Sequence, residues 1–165
     1  MASRADRAFL FAHPAHFLAF GFGAGLARVA PGTWGTLAAL PIYGACYVGG
    51  GAPAVLAAAL AFFVIGIWAA EVAGRALGVV DHGGIVVDEI AAYLLVLAFT
   101  PPVIGWIAAS FVVFRVFDIF KPWPINGADR RMKGGFGEMF DDVLAAGYTL
   151  LCLSLIRLAM ERISP

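Results

Sequence analysis

Cysteine is nearly absent, with Cys46 and Cys152 each alone in an apolar run, so neither a disulfide framework nor a zinc motif can be assembled. A lone thiol in such a run serves as small apolar filler. Charge is scarce too: Asp, Glu, Lys and Arg make up 13% of the 165 residues, about half the share found in an ordinary soluble domain. The 11 basic and 11 acidic residues cancel. Without a basic excess the chain lacks the means to engage a phosphate backbone, which excludes a nucleic-acid binder. A hydrophobic content of 62% and a mean hydropathy of +0.89 exclude disorder, acidic tails and coiled coils. No internal repeat and no low-complexity tract is present, and the length fits a single domain over residues 1–165.

What remains is apolar sequence divided by proline and glycine. No Asp, Glu, Lys or Arg occurs between Arg28 and Glu71. Within that gap one apolar stretch runs from Leu37 to Val48, then Gly49, Gly50, Gly51 and Pro53 interrupt it. A second runs from Pro53 to Ala70, about 27 Å as helix and so close to the thickness of a bilayer core. A third uncharged region, Ile90 to Phe114, is broken by Pro101 and Pro102 into arms of about 16–18 Å, too short to cross alone. The expectation is a helical hairpin turned at the prolines. A fourth apolar helix follows, from Val143 to Ile156 and on toward Glu161. The expected fold is all-α: a compact helical bundle with several membrane-embedded or membrane-associated helices and a proline-turned hairpin. Near the start, His13, Pro14 and His16 interrupt the apolar run Phe9–Ala27, which argues against a cleaved signal. Arg4, Arg7 and Arg28 favour a cytoplasmic N-terminal side, and two spans plus a hairpin then return the charged windows to that side.

Those windows carry the candidate chemistry. Asp88-Glu89 stands at the start of the Ile90 helix, and Asp141-Asp142 opens the last one. A single carboxylate there would be an ordinary cap. Between the two pairs, Arg115, Asp118 and Lys121 recur at i, i+3 and i+6 among Phe114, Phe117, Phe120 and Trp123, and so share one helix face. Ionisable groups in so apolar a setting are costly unless they pair or bind something. Asp88, Glu89, Asp118, Asp141 and Asp142 converging would repel unless a cation sat among them. Hard oxygen ligands favour Mg²⁺ together with a substrate phosphate. Arg115, Lys121 and Arg130 would neutralise phosphate oxygens. In Pro31-Gly32-Thr33-Trp34-Gly35-Thr36, Thr33, Gly35 and Thr36 are candidates to cradle the phosphate at a helix start. Gly134-Gly135-Phe136-Gly137 reads as a glycine-rich loop before Glu138. The run Gly21-Phe22-Gly23-Ala24-Gly25 is no dinucleotide motif, because the third glycine would fall at Leu26 and no βαβ pattern follows.

The motifs Gly21–Gly25, Pro31–Thr36, Ile85–Glu89, Phe114–Asp118, Lys121–Ile125 and Gly134–Asp142, in this order and spacing from about Phe17 to Leu150, resemble the bacterial phosphatidylglycerophosphatase A family. One departure is Ala92, where that family tends to place glycine, and its expected effect is on helix packing. The resemblance implies a multi-pass inner-membrane phosphatase whose Mg²⁺-dependent reaction converts phosphatidylglycerophosphate to phosphatidylglycerol. It implies a mostly helical fold and the phospholipid and the membrane as partners, with no nucleic acid. It also fits the carboxylates as catalytic and metal-binding groups. Read from residues alone, a carboxylate-lined cation or proton pathway, a phosphatase for another lipid or soluble phosphomonoester, and a peripheral helical bundle stay open.

Overall fold

The computed structural model describes residues 5–79, 82–123, 125, 127, 132 and 134–163, and among them every regular element is helical. Two short helices come first. α1 (Arg7–Ala12) is capped by Asp6, whose carboxylate accepts the Phe9 N–H at 2.8 Å. His13 ends it in extended conformation and then caps α2 (Pro14–Ala19), its Nδ1 accepting the Ala15 N–H at 3.1 Å. Pro14 at the first helical position suits its fixed φ. A 3-10 segment, Gly21–Leu26, leads on. These pieces bury Phe9, Leu10, Ala15, Ala19 and Phe20 in one cluster with Ala69, Ala70, Ala73, Leu77, Ile85 and Val87.

α3 (Pro31–Leu77) is two arms, because Gly50 and Gly51 depart from helical geometry and Gly51 has φ 65° and ψ −158°, a conformation glycine alone adopts easily. The arms, residues 31–49 and 52–77, fold back on each other. A Cβ on Gly35 would lie 2.6 Å from Val86 Cβ, and one on Gly66 would lie 3.3 Å from Val87 Cγ2. An unbroken helix would hold residues 35 and 66 about 46 Å apart. Small residues make the approach possible: Gly32, Gly35 and Ala39 on the first arm and Ala59, Gly66, Ala69, Ala70 and Ala73 on the second are buried. The second arm stops at Gly78 (φ 72°), where Gly78 N–H bonds Arg75 O and Val79 N–H bonds Gly74 O, both at 3.2 Å. This is the paired bonding of a Schellman stop.

α4 (Val87–Phe99) is the central helix, apolar all round with Val87, Ile90–Leu94, Val96 and Leu97 buried. Ala92 is fully buried there. Thr100, Pro101 and Pro102 turn the chain into α5 (Ile104–Phe120), forming the expected hairpin. Tyr93 ties its arms by donating to Ile107 O at 3.0 Å and meeting Ser110 Oγ at 3.2 Å. α6 (Gly135–Ile163) packs against α3, α4 and α5.

The outer faces are also apolar. Leu60, Val64, Ile65 and Trp68 on α3, Val112, Val116 and Ile119 on α5, and Leu151, Leu155 and Leu158 on α6 are exposed. Such belts around a small-residue interior match a hydrocarbon solvent, and α3 and α6 are long and apolar enough to cross a membrane. The last helix starts earlier than the sequence suggests. Asp141-Asp142 lies about two turns inside α6, since the glycine-rich run is itself the helix start. Gly135 presses on the second arm of α3, where a Cβ would come 2.2 Å from Ile67 O.

Candidate active site

Four helices bring their polar residues to one end of the bundle. The first turn of α3 supplies Gly32 and Thr36 beyond it, the first turn of α4 Asp88 and Glu89, the end of α5 Arg115, Asp118 and Lys121, and α6, about two turns in, Asp141 and Asp142. Antiparallel connection puts helix starts and ends together there.

Asp88, Glu89 and Asp142 each present a carboxylate oxygen within 4.8 Å of the others. Asp118 stands close enough to act electrostatically on all three, and Asp141 acts on Asp88 and Asp142. Cationic side chains border the group. Arg115 Nη1 lies 3.6 Å from Glu89 Oε1, pairs with Asp118 and donates to Thr36 Oγ1 at 3.4 Å. Lys121 pairs with Asp141. Most of the group is sequestered, with side-chain exposure of 12% for Glu89, 14% for Arg115 and 4% for Asp141, while Lys121 at 29% stands at its edge.

Buried carboxylates this close repel strongly in a medium of low polarity. Glu89 Oε2 and Asp142 Oδ2 are buried with no hydrogen-bond partner, and each such orphan is costly. A divalent cation among oxygens from Asp88, Glu89 and Asp142 would remove both penalties. The all-oxygen donor set suits a hard ion such as Mg²⁺. Gly32 is needed for this geometry, since a Cβ there would lie 2.0 Å from Glu89 Oε1 and 3.1 Å from Arg115 Nη1 and Nη2.

The residues of the expected phosphate cradle lie at the start of α3. Gly35 is closed over by Val86. Thr36 is fully buried and donates its hydroxyl to Gly32 O at 2.9 Å. Thr33 is half-buried in the first turn, its N–H bonded to Ala30 O at 3.0 Å. Thr36 therefore acts on Arg115, and Gly35 on the packing of α3 against the α4 start. Arg130 lies outside the described residues. A positioning contact carried no side-chain signal: Glu71 near the end of α3 accepts the Gly135 N–H at 3.0 Å and is held by Arg75 at 2.7 Å, tying the start of α6 to α3. In the sequence Glu71 is only the first charge after a long uncharged gap.

Two helices long and apolar enough to cross a membrane suggest a helical membrane protein, and the buried carboxylates and two cations gathered at one end give it an enzyme-type polar centre. The chain belongs to the family Phosphatidylglycerophosphatase A, whose model matches residues 17–157, and it is accordingly a phosphatase. It is 42% identical over 147 residues to the phosphatidylglycerophosphatase A of Haemophilus influenzae, covering 88% of this chain and 90% of that one. Identity to the phosphatidylglycerophosphatase A of Escherichia coli is 40% over 136 residues, or 81% of this chain and 77% of the relative. A Bacteroides thetaiotaomicron protein with the provisional name phosphatidylinositol-3-phosphatase is 37% identical over 144 residues, 83% of this chain and 89% of its own. No solved structure matches the chain.

Proposed function

We propose that the protein hydrolyses the terminal phosphomonoester of phosphatidylglycerophosphate, giving phosphatidylglycerol and phosphate in a Mg²⁺-dependent reaction at the cytoplasmic side of a bacterial inner membrane. The observation that carries this reading is the trio Asp88, Glu89 and Asp142 within 4.8 Å, holding orphaned oxygens beside Arg115 in an apolar bundle. The relatives' names supply the substrate. The N-terminal segment with Arg7 and Arg28 leads into α3 at the end that holds the site, and basic residues favour the cytoplasmic side.

Asp88, Glu89 and Asp142 would hold the ion, with Asp118 and Asp141 beside them. When bound, Mg²⁺ supplies charge neutralisation and polarises a phosphoryl oxygen. Arg115 and Lys121 stand where their N–H groups can pass from Asp118 and Asp141 to the phosphoryl oxygens, stabilising charge that grows toward the transition state. Thr36 keeps Arg115 aimed into the site. Either a water attacks phosphorus directly, or a carboxylate attacks first and a water then breaks the resulting acyl-phosphate bond to release phosphate; on both routes the bond to the glycerol oxygen breaks, that oxygen takes up a proton, and the water supplies the hydroxyl of the phosphate. Carboxylate clustering at one end of the bundle supports this over a conduction pathway, which would string such groups through its depth. The Bacteroides relative favours a second reading in which the headgroup is a phosphorylated inositol lipid.

Phosphate release from phosphatidylglycerophosphate in mixed micelles, with Mg²⁺ and then with EDTA, tests the reading against an Asp118→Asn protein. Metal-dependent release by the wild type, cut at least about a hundredfold in the variant, is expected. Release that persists in EDTA overturns the metal role, and no release from this lipid by folded, Mg²⁺-supplied protein overturns the substrate.

A further inference from the structure

Beside the acidic centre lies a cavity of 150 Å³ walled by Ala59, Leu60 and Phe63 of α3, Ala91 and Leu95 of α4 and Val143 of α6. We infer that this slot seats an acyl chain of the lipid whose phosphate occupies the acidic centre. The inference rests on the lipid-phosphatase reading above and adds a second, hydrophobic subsite to it.

Three observations place the chain there. The slot begins next to the polar centre along two helices: Ala91 follows Asp88 on one face of α4, Val143 follows Asp142 in α6, and the step from Asp88 to Ala91 is only about 4.5 Å along the helix axis. From that level it deepens in one direction. Leu95 lies a turn further along α4, and Ala59 and Leu60 lie a turn before Phe63 on the antiparallel arm of α3, so the slot runs from the site toward the middle of the bundle. A lipid with its phosphate at the carboxylates sends its chains the same way. Second, every wall residue is apolar. An apolar cavity of this size offers water no partners, stays dry and takes up hydrocarbon. Third, small side chains shape the slot and keep it open to the lipid. Ala59 and Ala91 form its floor with little volume, while Leu60 on the rim is 58% exposed.

Narrowing the slot tests this. Ala59→Leu fills it from the floor, and Leu60→Trp obstructs it from the exposed rim without entering the core. Phosphate release is measured on phosphatidylglycerophosphate with short, intermediate and long acyl chains and on the deacylated headgroup phosphate. For both variants KM for the long-chain lipid is expected to rise about tenfold, equivalent to one to two methylenes losing their burial. The rise should shrink as the chains shorten, and release from the deacylated headgroup should match wild type. If ordinary bilayer lipid fills the slot instead, the variants shift KM equally at every chain length, and the inference is overturned. Equal loss on the deacylated compound overturns it as well, because the defect would then lie in the polar centre. A wild type that releases phosphate from none of these compounds overturns the phosphatase reading itself, whatever the variants do.

Discussion

The backbone N–H of Gly135 donates to the carboxylate of Glu71 at 3.0 Å, joining the first residue of α6 to the end of α3 across 64 positions of sequence. Arg75, one turn further along α3, holds the same carboxylate at 2.7 Å. Asp141 and Asp142 ride on the helix that this bond registers. Glu71→Ala is expected to cost about 1 kcal/mol, as for the loss of a helix cap, and to weaken Mg²⁺ activation by moving Asp142. Glu71→Gln keeps an oxygen for Gly135 and should restore most of both. Thermal unfolding together with the Mg²⁺ dependence of phosphate release checks the pair; a Gln variant no better than Ala would remove the positioning role.

Gly32→Ala places a methyl 2.0 Å from Glu89 Oε1. The obstacle is the end of a flexible side chain, so the fold should survive while Glu89 swings out of the cluster. Expected is a helical spectrum like that of wild type with phosphate release lowered at least about tenfold, a shift of 1.4 kcal/mol in barrier. Gly135→Ala meets the backbone carbonyl of Ile67 at 2.2 Å instead. That obstacle cannot rotate away, so the second variant should lower the melting temperature as well.

Asp88→Asn and Asp142→Asn each remove one charge from the repelling trio. In EDTA their melting temperatures should equal or exceed that of wild type, because repulsion between buried carboxylates is relieved. Adding Mg²⁺ should stabilise wild type, by about 2.7 kcal/mol at a concentration a hundred times Kd, and the variants by much less. An equal Mg²⁺ shift in all three proteins would take the ion away from these residues.

Arg115 serves Glu89, Asp118 and Thr36 at once, a fork that lysine cannot reproduce. Arg115→Lys should retain the fold and lose most of the activity. Arg115→Met should also destabilise, by about 3–5 kcal/mol, since it strands buried carboxylates. Denaturant unfolding and phosphate release separate the two effects.

Much of this was legible beforehand, and where it was, one local signal sufficed. The proline pair at 101–102 marked the hairpin, the glycines at 49–51 marked the fold-back of α3, and the Asp88-Glu89 pair marked the start of α4. Tertiary contact decided the rest. Gly35 reads as part of an anion cradle and Gly135 as a loop residue, yet each removes a side chain where another segment passes, Val86 before α4 and Ile67 of α3. No sequence periodicity reports which neighbour a glycine faces. Glu71 looked like the edge of a charged window because its partner is a backbone N–H of another helix, invisible in side-chain patterns. The fit of Asp88, Glu89 and Asp142 required the packing of α4 on α6.

The turns at Gly50-Gly51 and Pro101-Pro102 lie at the end of the bundle away from the carboxylates, which makes the enzyme one-sided. On the function proposed above, a lipid would offer its phosphate only from the leaflet that meets Asp88 and Arg115, and the dephosphorylated lipid would be released into that same leaflet. Supplying the opposite leaflet with product would then require a separate translocation step, and the orientation in which the chain inserts would fix which half of the bilayer first receives that product.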